Sequence, residues 1–122
     1  GNFLSYYKPY TLDVFLVYIG REAWLHSTWL SDWLRDLGLC VQMPTHQKSL
    51  RAQLHEASQR KAVTVIIIGP DELSTGEVTI KSMKSGTESK VQFDRVVSLL
   101  QRTMPQNDST MTNSGRLDLK PC

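Results

Sequence analysis

The chain has 122 residues, of which 40% are hydrophobic and 21% charged, and its formal net charge is +2. That length suits one domain with a core that needs no disulfide or metal, and no segment is long and apolar enough to span a membrane. The small net charge carries little information about partners, and two cysteines, Cys40 and Cys122, are not a disulfide framework, so the natural reading is an intracellular, reducing compartment, cytoplasmic before mitochondrial or nuclear. Residues 1–12 are aromatic and contain a proline, and they read as a linker. Asp13 to Ile19 is a β-branched and aromatic strand that Gly20 ends. From Arg21 to Leu37 the spacing turns helical, with Ala23, Leu30, Trp33, Leu34 and Leu37 on one face and Gly38 at the C-terminal cap. Leu25 and Trp29 form an i, i+4 pair at the edge of that face, and Trp24 points away from it. These three residues either cover the rim of a sheet or meet another domain or subunit.

Leu39 to Met43 is a short strand that Pro44 ends. Ser49 to Arg60 is a second helix, with Leu50, Leu54 and Ala57 on its apolar side. Ala62 to Ile68 is an unbroken apolar run, the mark of a strand buried on both faces. A polar turn from Gly69 to Gly76 follows, and then Glu77 to Lys81 alternates as a half-buried strand. Glu88 to Val91 is a weaker strand, joined to the last by the turn signal Lys84-Ser-Gly-Thr87. Phe93, Val96, Val97 and Leu100 are the apolar side of a final helix. The tail 104–122 is too polar to offset its ordering entropy, so disorder is expected there. The domain itself is expected over 13–103. Its first half contains two βαβ crossovers, which predict a parallel sheet with helices on its faces.

Charge is uneven along the chain. Lys48, Arg51, Arg60 and Lys61 against Glu56 give the segment from His46 to Lys61 a net of +3, with its histidines neutral. Lys81, Lys84 and Lys90 against Glu88 give +2 between Val78 and Lys90. Between Asp13 and Asp36 the balance is −2. A basic side on a domain attracts phosphates; the plainer reading is a solvated helix face.

Catalytic chemistry is hard to assemble from these residues. Ile68-Gly-Pro-Asp-Glu-Leu lacks the glycine spacing and the lysine of a phosphate loop. His26, His46 and His55 are far apart, with no cysteine or acid at ligand spacing, so no metal site is expected. No nucleophile elbow is present, and no cofactor is implied. Asp71 and Glu72 are adjacent and point apart, which suits a turn or cap better than an acid–base pair. Glu72 and Lys81 can instead meet near one sheet edge. A carboxylate accepts hydrogen bonds from base amino groups, and a lysine donates to a base edge or a phosphate. The alternative is a surface salt bridge across the turn.

Four pieces carry a resemblance. They are Asp13-Val-Phe-Leu-Val with the helix ending Trp-Leu-Arg-Asp-Leu-Gly38; Ser49-Leu-Arg-Ala-Gln-Leu-His-Glu-Ala57; Val65-Ile-Ile-Ile-Gly-Pro-Asp-Glu-Leu; and Gly76-Glu-Val-Thr-Ile-Lys-Ser-Met-Lys-Ser-Gly86. In this order the chain resembles the C-terminal anticodon-binding domain of class II aminoacyl-tRNA synthetases, histidyl type, over residues 12–102. The resemblance implies an α/β fold: a three-layer α/β/α domain with a five-stranded mixed sheet, order 2-1-3-4-5, strand 4 antiparallel. It implies tRNA as partner and places Glu72 and Lys81 where that group contacts anticodon bases. Lys48, Arg51 and Lys84 are the candidate phosphate contacts beside them. Lysine at position 81 keeps the charge of the arginine common in the family but loses its bidentate fork.

The chain departs from the family in the three tryptophans of its first helix and in its C-terminal extension. The class II catalytic motifs are absent, so the chain itself is not expected to be an enzyme. It starts with Gly1-Asn2 and no methionine, and reads as a domain cut from a longer polypeptide. The competing reading is a synthetase-like regulatory or dimerisation domain, as in a starvation-sensing kinase or a polymerase accessory subunit. There the first helix would supply a dimer or interdomain contact.

Overall fold

Five strands and four helices account for the computed structural model, which describes residues 12–103. Strand β1 (Val14–Tyr18) is buried at every residue. Helix α1 (Arg21–Asp36), strand β2 (Val41–Gln42), helix α2 (Leu50–Gln59) and strand β3 (Thr64–Ile68) complete two crossovers. A short helix α3 (Pro70–Thr75) leads into β4 (Glu77–Ser82) and β5 (Glu88–Gln92). A 3-10 turn, Phe93–Arg95, then opens helix α4 (Val96–Thr103).

The sheet order is β2-β1-β3-β4-β5. β1 pairs in parallel with β2 and β3, and β4 runs antiparallel to both β3 and β5. This is the expected fold. Leu16, Ile66, Val78 and Ile80 turn one face toward Leu30 and Leu34 of α1 and Val96 and Leu100 of α4. Phe15, Val17 and Val65 turn the other face toward Ala57 of α2. The alternation of side chains along β1 thus feeds two cores, one on each side of the sheet.

Three local rules fix the helix ends. Ser49 caps α2, its hydroxyl accepting from the Ala52 N–H at 3.1 Å. Arg35 stands in the last turn of α1 and donates to the Val41 carbonyl at 2.8 Å, tying that helix to β2. Gly76 ends α3 at φ 78°, a left-handed conformation that favours glycine.

Several expectations need correction. The polar stretch after Gly69 is a helix rather than an open turn, because Pro70 supplies the first helical φ and Glu72 satisfies the Gly69 N–H. Trp33 and Leu50, expected on the apolar faces of their helices, are 38% and 41% exposed. Residues Ala23, Ser27, Leu30, Ser31 and Leu34 form the buried stripe of α1, which small serines allow to pack close to the sheet. Leu12, assigned to the linker, belongs to the core beside Phe15 and Val65, and its carbonyl accepts from the Val63 N–H at 2.9 Å. The rest of the linker and the tail from 104 onward lie outside the described residues.

Candidate nucleic-acid interface

The register of the last three strands sets two rows of side chains across the α2 face of the sheet. One row is Ile67, Thr79 and Lys90; the next is Val65, Lys81 and Glu88. Thr79 and Lys81 sit two residues apart on β4, so they point to the same side. Glu88 and Lys90 on the edge strand are exposed, and Lys81 is half-buried. Towards β5 this face is a solvent-accessible, charged platform.

Glu72 joins the platform from α3. One carboxylate oxygen, Oε1, accepts from the Gly69 N–H at 2.9 Å. The other, Oε2, accepts from the Thr79 hydroxyl at 2.8 Å and from the Lys90 ammonium at 3.4 Å. Glycine at position 69 permits this close approach, since a Cβ there would stand 3.2 Å from Oε1. Burial of the carboxyl works against its charge. The hydrogen bonds from Thr79, the Glu72 and Gly69 backbone and Lys90 together outweigh that effect and hold Glu72 below its ordinary pKa of 4.5. Glu72 is therefore an ionised acceptor at neutral pH, held in one orientation.

The Glu72 and Lys81 side chains are on the same face but do not form an ion pair. Glu72 pairs with Lys90 instead. Lys81 stands one row further along β4, level with Glu88. The bridge anticipated as the alternative to recognition is thus made by a lysine 18 residues from Glu72 in sequence. Thr79 and Lys90 were missed by sequence reasoning. Their signal is the antiparallel register, which aligns them opposite one another, and no local pattern reports that register.

The remaining basic candidates separate. Lys48 lies at the start of α2, where its carbonyl accepts from Gln53 Nε2 at 2.8 Å; Gln53 in turn is bonded to Tyr18 at the end of β1. The Ile19 N–H donates to the Ile68 carbonyl, so the ends of β1 and β3 adjoin, and Lys48 and Glu72 gather at the same end of the sheet. Yet Lys48 Nζ is 2.9 Å from Glu56, and Arg60 is 2.8 Å from the same carboxylate. Two bases of the positive helix are thus partly neutralised by one acid. Arg51 is exposed on the first turn of α2 and makes no ion pair among the described residues. Lys84 is exposed in the β4–β5 turn, at the opposite end of the sheet from Glu72.

The other face carries an aromatic surface. Trp24, Leu25 and Trp29 are 41%, 50% and 60% exposed. The Trp29 ring stacks on Phe93, centroids 5.9 Å apart and planes 12° apart, and meets Trp33 at 5.7 Å. Phe93 also receives His26 edge-on. A mostly apolar cleft of about 220 Å³ lies below this cluster, lined by His26, Trp29, Leu73, Val78 and Phe93 among others. Trp29 thus packs on Phe93 and Trp33 while 60% of it stays exposed. Among the described residues no group of histidines, cysteines or acids is arranged to hold a metal ion, and no helix is long and apolar enough to cross a membrane.

Comparison with known proteins gives this geometry a context. The family model described as "Anticodon binding domain" matches residues 13–103. A histidine–tRNA ligase from a Thermoanaerobacter species is 35% identical over 89 residues, 73% of this chain and 21% of that protein. The histidine–tRNA ligase of Pseudothermotoga lettingae is 36% identical over 90 residues, 74% of this chain and 21% of that protein. The chain thus spans about a fifth of the length of the curated relatives it matches. Among solved structures, apo histidyl-tRNA synthetase of S. aureus superposes with a TM-score of 0.69 at 27% identity, covering 73% of this chain and 26% of that one. The RNA-binding domain of threonyl-tRNA synthetase from Cryptosporidium parvum shares the fold, with a TM-score of 0.67 at 12% identity, covering 78% of this chain and 24% of that one. By its matched length, its sheet order and its relatives, this chain belongs to the anticodon-binding domain family, homologous to the C-terminal region of histidyl-tRNA synthetases.

Proposed function

We propose that this domain binds the anticodon arm of a tRNA, that of tRNA-His, on the α2 face of β4 and β5. The observation that carries the reading is the ionised, oriented Glu72 carboxylate beside Lys81 on an accessible platform. In this reading Glu72 accepts a hydrogen bond from the amino group of an unpaired base. Lys81 donates to a base edge or a phosphate. Arg51 adds a phosphate contact from α2, with smaller contributions from Lys48 and Lys84. The domain supplies recognition, and aminoacylation takes place in another part of a longer, intracellular synthetase. Trp24, Leu25 and Trp29 then form a contact with a neighbouring domain or subunit of that protein.

Titrating a tRNA-His anticodon stem-loop against the chain and its Lys81→Ala variant tests the reading. The wild type should bind with an affinity that falls as salt rises, and the variant should bind more weakly. Absence of binding at low salt, or equal binding by both proteins, would remove RNA recognition from this face.

A further inference from the structure

The Glu72 carboxylate has one weak partner among its three. Gly69 and Thr79 hold it from the backbone and from a buried strand position at 2.9 and 2.8 Å. Lys90 reaches it at 3.4 Å from the exposed edge strand, on a side chain that is itself 54% exposed. A long contact to a half-exposed lysine contributes little, so it breaks easily. The other two bonds keep the carboxylate oriented when it does.

The Glu72 side chain is only 11% exposed, and the Lys90 ammonium occupies the oxygen that faces the platform. A base amino group approaching Oε2 meets that ammonium first. The lysine must swing away, and it then stands next to the nucleotide whose base has replaced it. A free ammonium on a flexible stem beside a ribose–phosphate chain finds a phosphate oxygen.

We propose that Lys90 is a phosphate ligand of the bound RNA, and that its contact with Glu72 is a resting pair which an incoming base exchanges for its own amino group. Glu72 keeps three acceptor contacts throughout, the lysine being replaced by the base. Lys90 trades one anion for another, and the Glu72 carboxylate keeps a hydrogen-bond donor where the ammonium stood. The inference rests on the reading of the platform as an RNA surface and assigns a role to a residue that reading does not use.

The test is the salt dependence of stem-loop binding by the 122-residue chain and by Lys90→Gln and Lys90→Arg. Loss of one phosphate contact to a single-stranded loop should make the slope of log K against log salt shallower by about 0.7 in Lys90→Gln. Lys90→Arg should keep the wild-type slope. Base preference, measured with loops substituted at each unpaired position, should be the same in Lys90→Gln as in wild type. An unchanged slope in Lys90→Gln would overturn the proposal, and so would a changed base preference with no change in slope, the mark of a lysine that only positions Glu72. If wild type binds and Lys81→Ala weakens it while the Lys90 variants match wild type, the exchange fails and the RNA surface stands. If wild type does not bind, both fail together.

Discussion

The Gln53 amide closes the end of β1 at Tyr18. Its Oε1 accepts from the Tyr18 N–H at 3.0 Å and its Nε2 donates to the Tyr18 carbonyl at 2.8 Å. β2 is only two residues long and pairs with Val14 and Phe15, so it ends before it can reach Tyr18. A fully buried side chain from α2 completes the ladder that the short strand leaves open. The same amide donates to the Lys48 carbonyl and so sets the start of α2 against the end of β1.

Gln53→Leu should therefore destabilise the domain strongly. The variant keeps the volume but leaves a buried N–H and C=O without partners, at a cost of about 2–4 kcal/mol for the two together. Urea denaturation should show the lower midpoint with an unchanged m-value. A change below about 0.5 kcal/mol would mean that water or a shifted backbone replaces the amide.

Glu72 gives a pH signature of definite sign. Its folded pKa lies below its ordinary 4.5, so the ionised carboxylate stabilises the fold above that value. The contribution is lost as pH falls from about 4.5 through the lower folded value. Comparing urea midpoints at pH 7 and pH 3, wild type should lose more stability on acidification than Glu72→Gln. Equal losses would show that the hydrogen bonds to Gly69 and Thr79 do not favour the charged form.

The basic residues should not weigh equally in RNA binding. Lys48 shares Glu56 with Arg60, whereas Arg51 makes no ion pair among the described residues. Arg51→Ala should weaken stem-loop binding more than Lys48→Ala, and Lys81→Ala more than Lys84→Ala, because Lys84 lies at the far end of the sheet from Glu72. Fluorescence anisotropy at fixed low salt ranks all four. A Lys84→Ala loss equal to that of Lys81→Ala would move the RNA along the hairpin.

Trp29 offers an optical check on the opposite face. At 60% exposure it should be quenched by iodide in the isolated chain, with Trp24 and Trp33 contributing less. Phe93→Ala removes its stacking partner and should shift the emission to longer wavelength. Emission that iodide leaves untouched would show that the aromatic surface is already covered, for instance by self-association, and sedimentation would then reveal the oligomer.

Much of this architecture is written locally. The alternation and apolar runs of Val14–Tyr18 and Thr64–Ile68, the cap at Ser49 and the left-handed Gly76 are properties of short windows, and each element forms where its own residues dictate. Glu72 and Lys81 were singled out as candidates by the turn that brings them to one sheet edge and by the family likeness. Their partners were not. The pairing of Glu72 with Lys90 depends on the antiparallel register of β4 and β5, and that of Gln53 with Tyr18 on how far β2 extends. The outward turn of Trp33 depends on which stripe of α1 the sheet selects, and the small residues Ala23, Ser27 and Ser31 win that place by close packing. Periodicity determines what most segments of this chain become, whereas Pro70–Thr75 is set by its proline and by the Glu72 cap. Contacts between residues 18 or 35 positions apart are decided only when the sheet assembles, because register and burial are properties of the pair and not of either segment.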